Sequence, residues 1–138
     1  MRFLLDTHTL LWFLTDDAAL STTAKTIVEL ADNTILISPA SYWEIAIKIS
    51  LGEYRLPEPL SSFMARELSR NGMTILPISI EHAEHVAALP FHHRDPFDRL
   101  LIAQALVENV QVVSIDTAFD AYDIKRCLVD RQDKAQRR

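Results

Sequence analysis

Four carboxylates in this 138-residue chain stand where one pocket could collect them: Asp6, Glu44, Asp98 and Asp116. Asp6 and Asp116 each close a short apolar run, Arg2 to Asp6 and Val110 to Ile115, that reads as a strand. Asp98 falls in the first turn of a helix opened by Asp95-Pro96, and Glu44 sits early in a helix opened by Ser38-Pro39. Ligands of an open parallel sheet bind beyond the carboxyl ends of its strands, so acids at those ends converge on one edge. Like charges gathered there repel and raise one another's pKa unless a cation compensates. An all-oxygen set selects a hard ion, so Mg²⁺ or Mn²⁺ is expected rather than Zn²⁺ or Ca²⁺. Such an ion would activate water and offset charge on a phosphodiester.

Each acid also has a plainer reading. Asp6 can cap the turn after its strand, Asp116 can cap the turn at Thr117, and Asp98 can serve a helix dipole. Glu44 can pair with Lys48 at i,i+4, worth only tenths of a kcal/mol. Asp95, directly before Pro96, fits a helix N-cap better than a ligand, and Asp120, four residues beyond Asp116, either joins the site or is solvated. His82 and His85 have i,i+3 spacing and His92-His93 follow, but with no cysteine beside them the polar face of a short amphipathic helix explains the first pair without zinc. There is no phosphate-cradling glycine loop and no Gly-x-Ser-x-Gly turn.

The elements that must position these acids alternate. After the first strand, Thr7 to Thr9 offers turn and capping chemistry before the apolar Leu10 to Leu14. Ser21-Thr22-Thr23 opens a helical pattern with Ala24, Ile27, Val28 and Ala31 on one face, followed by a second strand, Thr34 to Ile37. The Ser38-Pro39 helix carries Tyr42, Ile45, Ala46 and Ile49 up to Gly52. A proline-broken connection leads to a helix over Leu60 to Asn71, then to a third strand, Met73 to Ile78. A short helix after Ser79, the helix after Asp95 with Leu101, Ile102, Ala105 and Leu106, and a fourth strand over Val110 to Ile115 complete the pattern. Alternation of this kind predicts an α/β fold, a three-layer α/β/α sandwich around a mostly parallel central sheet. The whole chain, 1–138, is expected to be one domain, with a frayed polar tail from about 131.

Composition narrows the function classes. Apolar residues at 49% and charged residues at 24% exclude a disordered or fibrous chain. One cysteine, Cys127, cannot form an intrachain disulfide, and no leader pattern opens the sequence, so the cytoplasm is the expected compartment. The longest apolar runs fall far short of the roughly 20 residues of a membrane span, so no membrane role is expected. A net charge of −5 argues against a surface that attracts nucleic acid everywhere, but acids gathered in one cleft and neutralised by cations leave the remaining surface free to be locally basic.

Four segments carry a family resemblance: Leu5-Asp6-Thr7-His8, Ser41-Tyr42-Trp43-Glu44-Ile45, the run from His93 through Asp95-Pro96-Phe97-Asp98-Arg99 to Ala105, and Ser114-Ile115-Asp116. In this order they resemble a PIN domain, and more narrowly the VapC-type toxins of bacterial toxin–antitoxin pairs. The resemblance spans nearly the whole chain. It implies a PIN-like parallel sheet with flanking helices, a divalent-metal endoribonuclease (a hydrolase), homodimerisation and inhibition by a cognate VapB-type antitoxin. It makes Asp6, Glu44, Asp98 and Asp116 the catalytic and metal-binding acids, with Asp95 and Asp120 as neighbours, and Thr7 or Ser41 as groups that orient a carboxylate or water. It also implies in-line attack of activated water on RNA, leaving a 3′-hydroxyl and a 5′-phosphate. Arg94, Arg99 and Lys48 are candidate phosphate contacts, each with a solvated or salt-bridged alternative. Trp12, Phe13 and Trp43 are compatible with an exposed dimer surface or with the core.

Two rivals stand beside this reading. A phosphoryl-transfer domain would use Asp6 as phosphoacceptor, but Thr7-His8 follows it where a second carboxylate is wanted. A catalytically silent PIN-fold binding module would act only through a protein partner, against which the full acid set argues.

Overall fold

Short apolar runs make strands here because helices cover both faces of the sheet they build. In the computed structural model, which describes residues 1–128, β1 (Arg2–Leu5), β2 (Thr34–Ile37), β3 (Thr74–Ile75), β4 (Gln111–Ser114) and β5 (Arg126–Leu128) lie in the order β3-β2-β1-β4-β5. Every pairing is parallel. The polar tail expected from about 131 lies outside the described residues.

Alternate strand residues enter opposite cores. Phe3, Leu5, Ile35, Ile37 and Val113 pack against α1 (Thr7–Leu14), α2 (Thr22–Glu29), α3 (Pro39–Ser50) and α4 (Leu60–Arg70) through Leu10, Val28, Ile45 and Met64. Leu4, Leu36 and Val112 face the other way, toward α5 (Ile80–Ala88), α6 (Pro96–Glu108) and a 3₁₀ turn, Thr117–Ala121, through Val86, Leu101, Ile102 and Phe119. The expected three-layer sandwich is therefore present, with a sheet that is wholly parallel.

Local chemistry starts the helices where the sequence predicts. Ser21 and Ser38 accept from Ala24 N and Ala40 N, Pro39 and Pro96 take first-turn positions, and Ser79 and His82 close a reciprocal capping box. α6 stops at Asn109, whose φ of 54° is the left-handed conformation that asparagine tolerates.

Three details differ from the sequence reading. The run from Leu10 to Leu14 belongs to a helix that begins at Thr7, because Asp6 supplies the cap. The third strand shrinks from Met73–Ile78 to Thr74–Ile75, since Met73 and Leu76 turn into the cores and Pro77 has no N–H to give a ladder. A fifth strand, Arg126–Leu128, pairs with β4 beyond the four that the sequence predicts. Among the described residues no helix is long and apolar enough to cross a membrane.

The strand order sets the position of the site. From β1 the chain moves outward through β2 to β3, then returns to add β4 and β5 on the other side. The crevice where the order reverses lies between β1 and β4, whose carboxyl ends lead into Asp6 and Asp116.

Candidate functional site

Asp6 follows β1 directly and is the N-cap of α1, with its carboxylate almost wholly buried. Its Oδ1 accepts from Thr9 N at 2.9 Å and its Oδ2 from Ser114 Oγ at 2.5 Å. Ser114 closes β4, and its Oγ also accepts from Asp116 N at 2.9 Å. One buried hydroxyl thus ties the first acid to the backbone of the last. Thr9 Oγ1 adds a bond to Val113 O at 3.1 Å, locking α1 onto the end of β4.

Asp116 is exposed and caps the 3₁₀ turn through Ala118 N at 2.9 Å. Asp98 enters from the first turn of α6, half-buried, with Oδ2 2.8 Å from His93 Nε2. Burial raises the Asp98 pKa from 3.8 to about 6; the His93 hydrogen bond opposes this, and the negative charges of Asp95 and Asp6 add to it. The ligating atoms of His93, Asp98 and Asp116 all lie within 4.8 Å of one another. Beside them a cleft of about 340 Å³ is lined by Asp6, His8, Trp12, Ile115, Asp116 and Thr117. Two carboxylates and an imidazole around one point, with a third carboxylate behind, are a donor set that fits a divalent cation.

The other sequence candidates are placed differently. Glu44 is half-buried in α3, one helical turn beyond Ser41, whose Oγ accepts from Thr7 Oγ1 at 3.0 Å. That bond puts the Glu44 face of α3 beside the residue after Asp6, but Glu44 is outside the close three-residue group, and among the described residues it has no ion pair with Lys48. Asp95 caps α6, accepting from Phe97 N at 2.9 Å and Asp98 N at 3.2 Å. Asp120 is engaged by Arg126 through both carboxylate oxygens, at 2.8 and 2.9 Å, which holds its pKa below the usual range.

Arg99 is buried and donates to the carbonyls of Val86, Leu89, Pro90 and His93, with Phe91 stacked 4.2 Å from its guanidinium. It holds the loop between α5 and α6 and has no surface to offer a phosphate. Arg94 is exposed and Lys48 half-buried. His82 is a buried cap residue whose Nε2 lies 3.1 Å from Glu108, while His85 is exposed.

Sequence reasoning missed Ser114 and His93 as members of the site. The signal for Ser114 was its place two residues before Asp116, at the carboxyl end of β4 on the same strand face as Val112. The signal for His93 was weaker, because only the loop conformation brings it to Asp98.

The larger cavity, about 660 Å³, opens at the opposite end of the sheet between Met1, Arg2, Asn109 and Lys125, with Asp123 as its single acid. It contains none of the acids that the sequence singled out.

Comparisons with known proteins bear on the family and the fold. A 59-residue stretch is 43% identical to ribonuclease VapC16 of Mycobacterium tuberculosis, covering 43% of this chain and 40% of that protein. The match therefore spans less than half the length of that relative. Among solved structures, the VapBC2 complex of Rickettsia felis bound to a promoter DNA fragment has a chain that superposes with a TM-score of 0.71 at 19% identity, covering 94% of this chain and all of that one. The FitAcB structure of Neisseria gonorrhoeae gives a TM-score of 0.61 at 18% identity over 90% of this chain and 95% of that one. A toxin–antitoxin complex of Klebsiella pneumoniae gives 0.56 at 18% identity over 83% of this chain and 86% of that one. These likenesses bear on the fold. The PIN domain model matches residues 3–125, nearly the full length, and the chain belongs to the PIN domain family.

Proposed function

We propose that this protein is a metal-dependent endoribonuclease of the VapC toxin type, acting in the cytoplasm on RNA and held in check by a VapB-type antitoxin. The observation that carries this reading is the convergence of His93, Asp98 and Asp116 on one point beside the β1/β4 crevice, with Asp6 hydrogen-bonded behind them. The partial identity to a ribonuclease and the fold shared with toxin–antitoxin complexes support it.

Asp6, Asp98 and Asp116 would hold Mg²⁺ or Mn²⁺, with Glu44 approaching from α3. When bound, such an ion supplies water activation and charge compensation on the scissile phosphodiester. The protein's own part is placement. Ser114 and the Thr9 amide fix both oxygens of Asp6, so that carboxylate needs no rearrangement to present its charge. Asp95 orders the first turn of α6 and so aims Asp98. The Thr7–Ser41 bond keeps α3, the helix that carries Glu44, against α1. A phosphoacceptor role for Asp6 is disfavoured by its burial and by the two hydrogen bonds its oxygens already accept.

The same proposal includes homodimerisation, for which Trp43, 61% exposed and edge-on to Phe97, supplies apolar surface; Phe13 instead packs on the core. The deciding experiment is cleavage of RNA by highly purified protein with and without Mg²⁺ or Mn²⁺, alongside an Asp6→Asn control. Metal-dependent cleavage lost in Asp6→Asn is the expected result. Cleavage that survives in Asp6→Asn, or none at any metal concentration, would overturn the nuclease reading. Co-expression with the neighbouring small reading frame tests the antitoxin: a frame that neither binds nor protects RNA removes that part alone.

A further inference from the structure

The metal site expected from the carboxylates alone is made of oxygen. Its geometry contains a nitrogen. His93 Nε2 lies 2.8 Å from Asp98 Oδ2, and a ring nitrogen of His93 stands within 4.8 Å of a carboxylate oxygen of Asp116 as well, so the imidazole is within reach of both acids. Two ligand atoms bonded to one small cation at right angles, each at about 2.1 Å, stand about 3 Å apart, close to the His93–Asp98 separation.

The imidazole is also held in place from behind. Arg99 donates to the His93 carbonyl at 3.4 Å and to the Pro90 carbonyl at 2.9 Å, and Tyr122 Oη donates to the same Pro90 carbonyl at 3.0 Å. Asp95 then caps α6 two residues later. The loop that carries His93 is therefore anchored at both ends by bonds unrelated to any ligand, and the His93 side chain is only 24% exposed. Such support fixes the backbone from which the imidazole projects, which is what a ligand of a rigid site requires.

We propose that His93 is a direct ligand of the divalent cation, adding a nitrogen to the carboxylates of Asp6, Asp98 and Asp116 in a mixed set that favours Mn²⁺ over Mg²⁺. The inference rests on the metal site of the proposed nuclease but departs from an all-carboxylate set. The preference is relative: Mg²⁺ takes oxygen and water almost exclusively, whereas Mn²⁺, a first-row transition ion, accepts an imidazole nitrogen at smaller cost.

The test is pulsed electron paramagnetic resonance of the Mn²⁺-loaded full chain, with calorimetric titration of Mn²⁺ and Mg²⁺ into wild type, His93→Gln, His8→Gln and Asp98→Asn. Wild type is expected to show imidazole nitrogen coupling to Mn²⁺, retained in His8→Gln and absent in His93→Gln. His93→Gln is expected to weaken Mn²⁺ by at least about tenfold and Mg²⁺ by clearly less. ¹⁵N-histidine labelling of wild type checks the assignment without any substitution, so a poorly folding variant does not obscure it. Mn²⁺ binding that needs Asp98 but shows no nitrogen coupling, or coupling lost in His8→Gln instead, overturns the inference and leaves the nuclease reading standing. Absence of Mn²⁺ and Mg²⁺ binding in wild type overturns both.

Discussion

Ser114 Oγ donates to Asp6 Oδ2 across 2.5 Å while accepting from Asp116 N at 2.9 Å, so one hydroxyl at the end of β4 joins two acids 110 positions apart in the sequence. A buried carboxylate that loses such a donor is left without solvent to replace it.

Ser114→Ala is therefore expected to destabilise the protein by about 1–3 kcal/mol, read as a lowered urea midpoint with an unchanged m-value. RNA cleavage should fall in the same variant because Asp6 is no longer fixed. A midpoint equal to wild type would show that water replaces the hydroxyl.

Arg99 holds four carbonyls of the Val86–His93 segment with one guanidinium. Lysine keeps the charge but has no planar fork, so Arg99→Lys is expected to cost about 2–4 kcal/mol. Metal affinity should drop with it, since His93 loses its anchor. Unchanged stability would mean that the loop is held by the remaining contacts alone.

The raised carboxyl of Asp98 makes metal-free stability depend on pH in a definite direction. Its pKa moves from 3.8 to about 6, so the native state binds the proton more tightly than the unfolded chain. That contribution is complete below about 3.8 and is lost as pH rises through about 6. The stability of wild type relative to Asp98→Asn should accordingly fall across this window in thermal melts without metal. Divalent-metal affinity should rise over the same range, because the cation competes with the proton. A wild-type advantage that grows with pH would contradict the assignment.

Asp95 separates capping from charge. Asp95→Ala removes the acceptor for Phe97 N and Asp98 N and should cost about 1 kcal/mol. Asp95→Asn keeps an acceptor while removing the negative charge that helps raise Asp98, so its stability should stay near wild type while the Asp98 pKa falls. Nuclear magnetic resonance titration of the Asp98 carboxyl reads the second effect directly. Equal Asp98 pKa values in Asp95→Asn and wild type would count against the electrostatic part.

Much of this protein is legible in one dimension because its local rules agree with one another. Apolar runs ending in Asp6 and Asp116 mark strands that end in acids, and Ser38-Pro39 and Asp95-Pro96 mark helix starts that the structure contains. Those signals depend on residues within a few positions of each other, which is the range over which capping, turn chemistry and hydrophobic period act. Arg126–Leu128 shows where that range ends. Three residues have no period to read, and they become a strand only because β4 offers them a free edge.

Convergence of the acids was decided in three dimensions. The strand order places Asp6 and Asp116 across a single crevice, and neither apolar run specifies which neighbour it will pair with. Ser114 entered the site through the β1–β4 pairing, and His93 through the carbonyl bonds of Arg99, a residue whose charge offers a phosphate contact or a salt bridge in the sequence and whose burial turns it inward. Asp120 moved the other way, taken out of the acid cluster by a bidentate bond to Arg126 on the strand that sequence periodicity could not reveal. The residue types set which chemistry was possible. Long-range pairing, which pays chain entropy for contacts far apart in sequence, selected which of those residues meet.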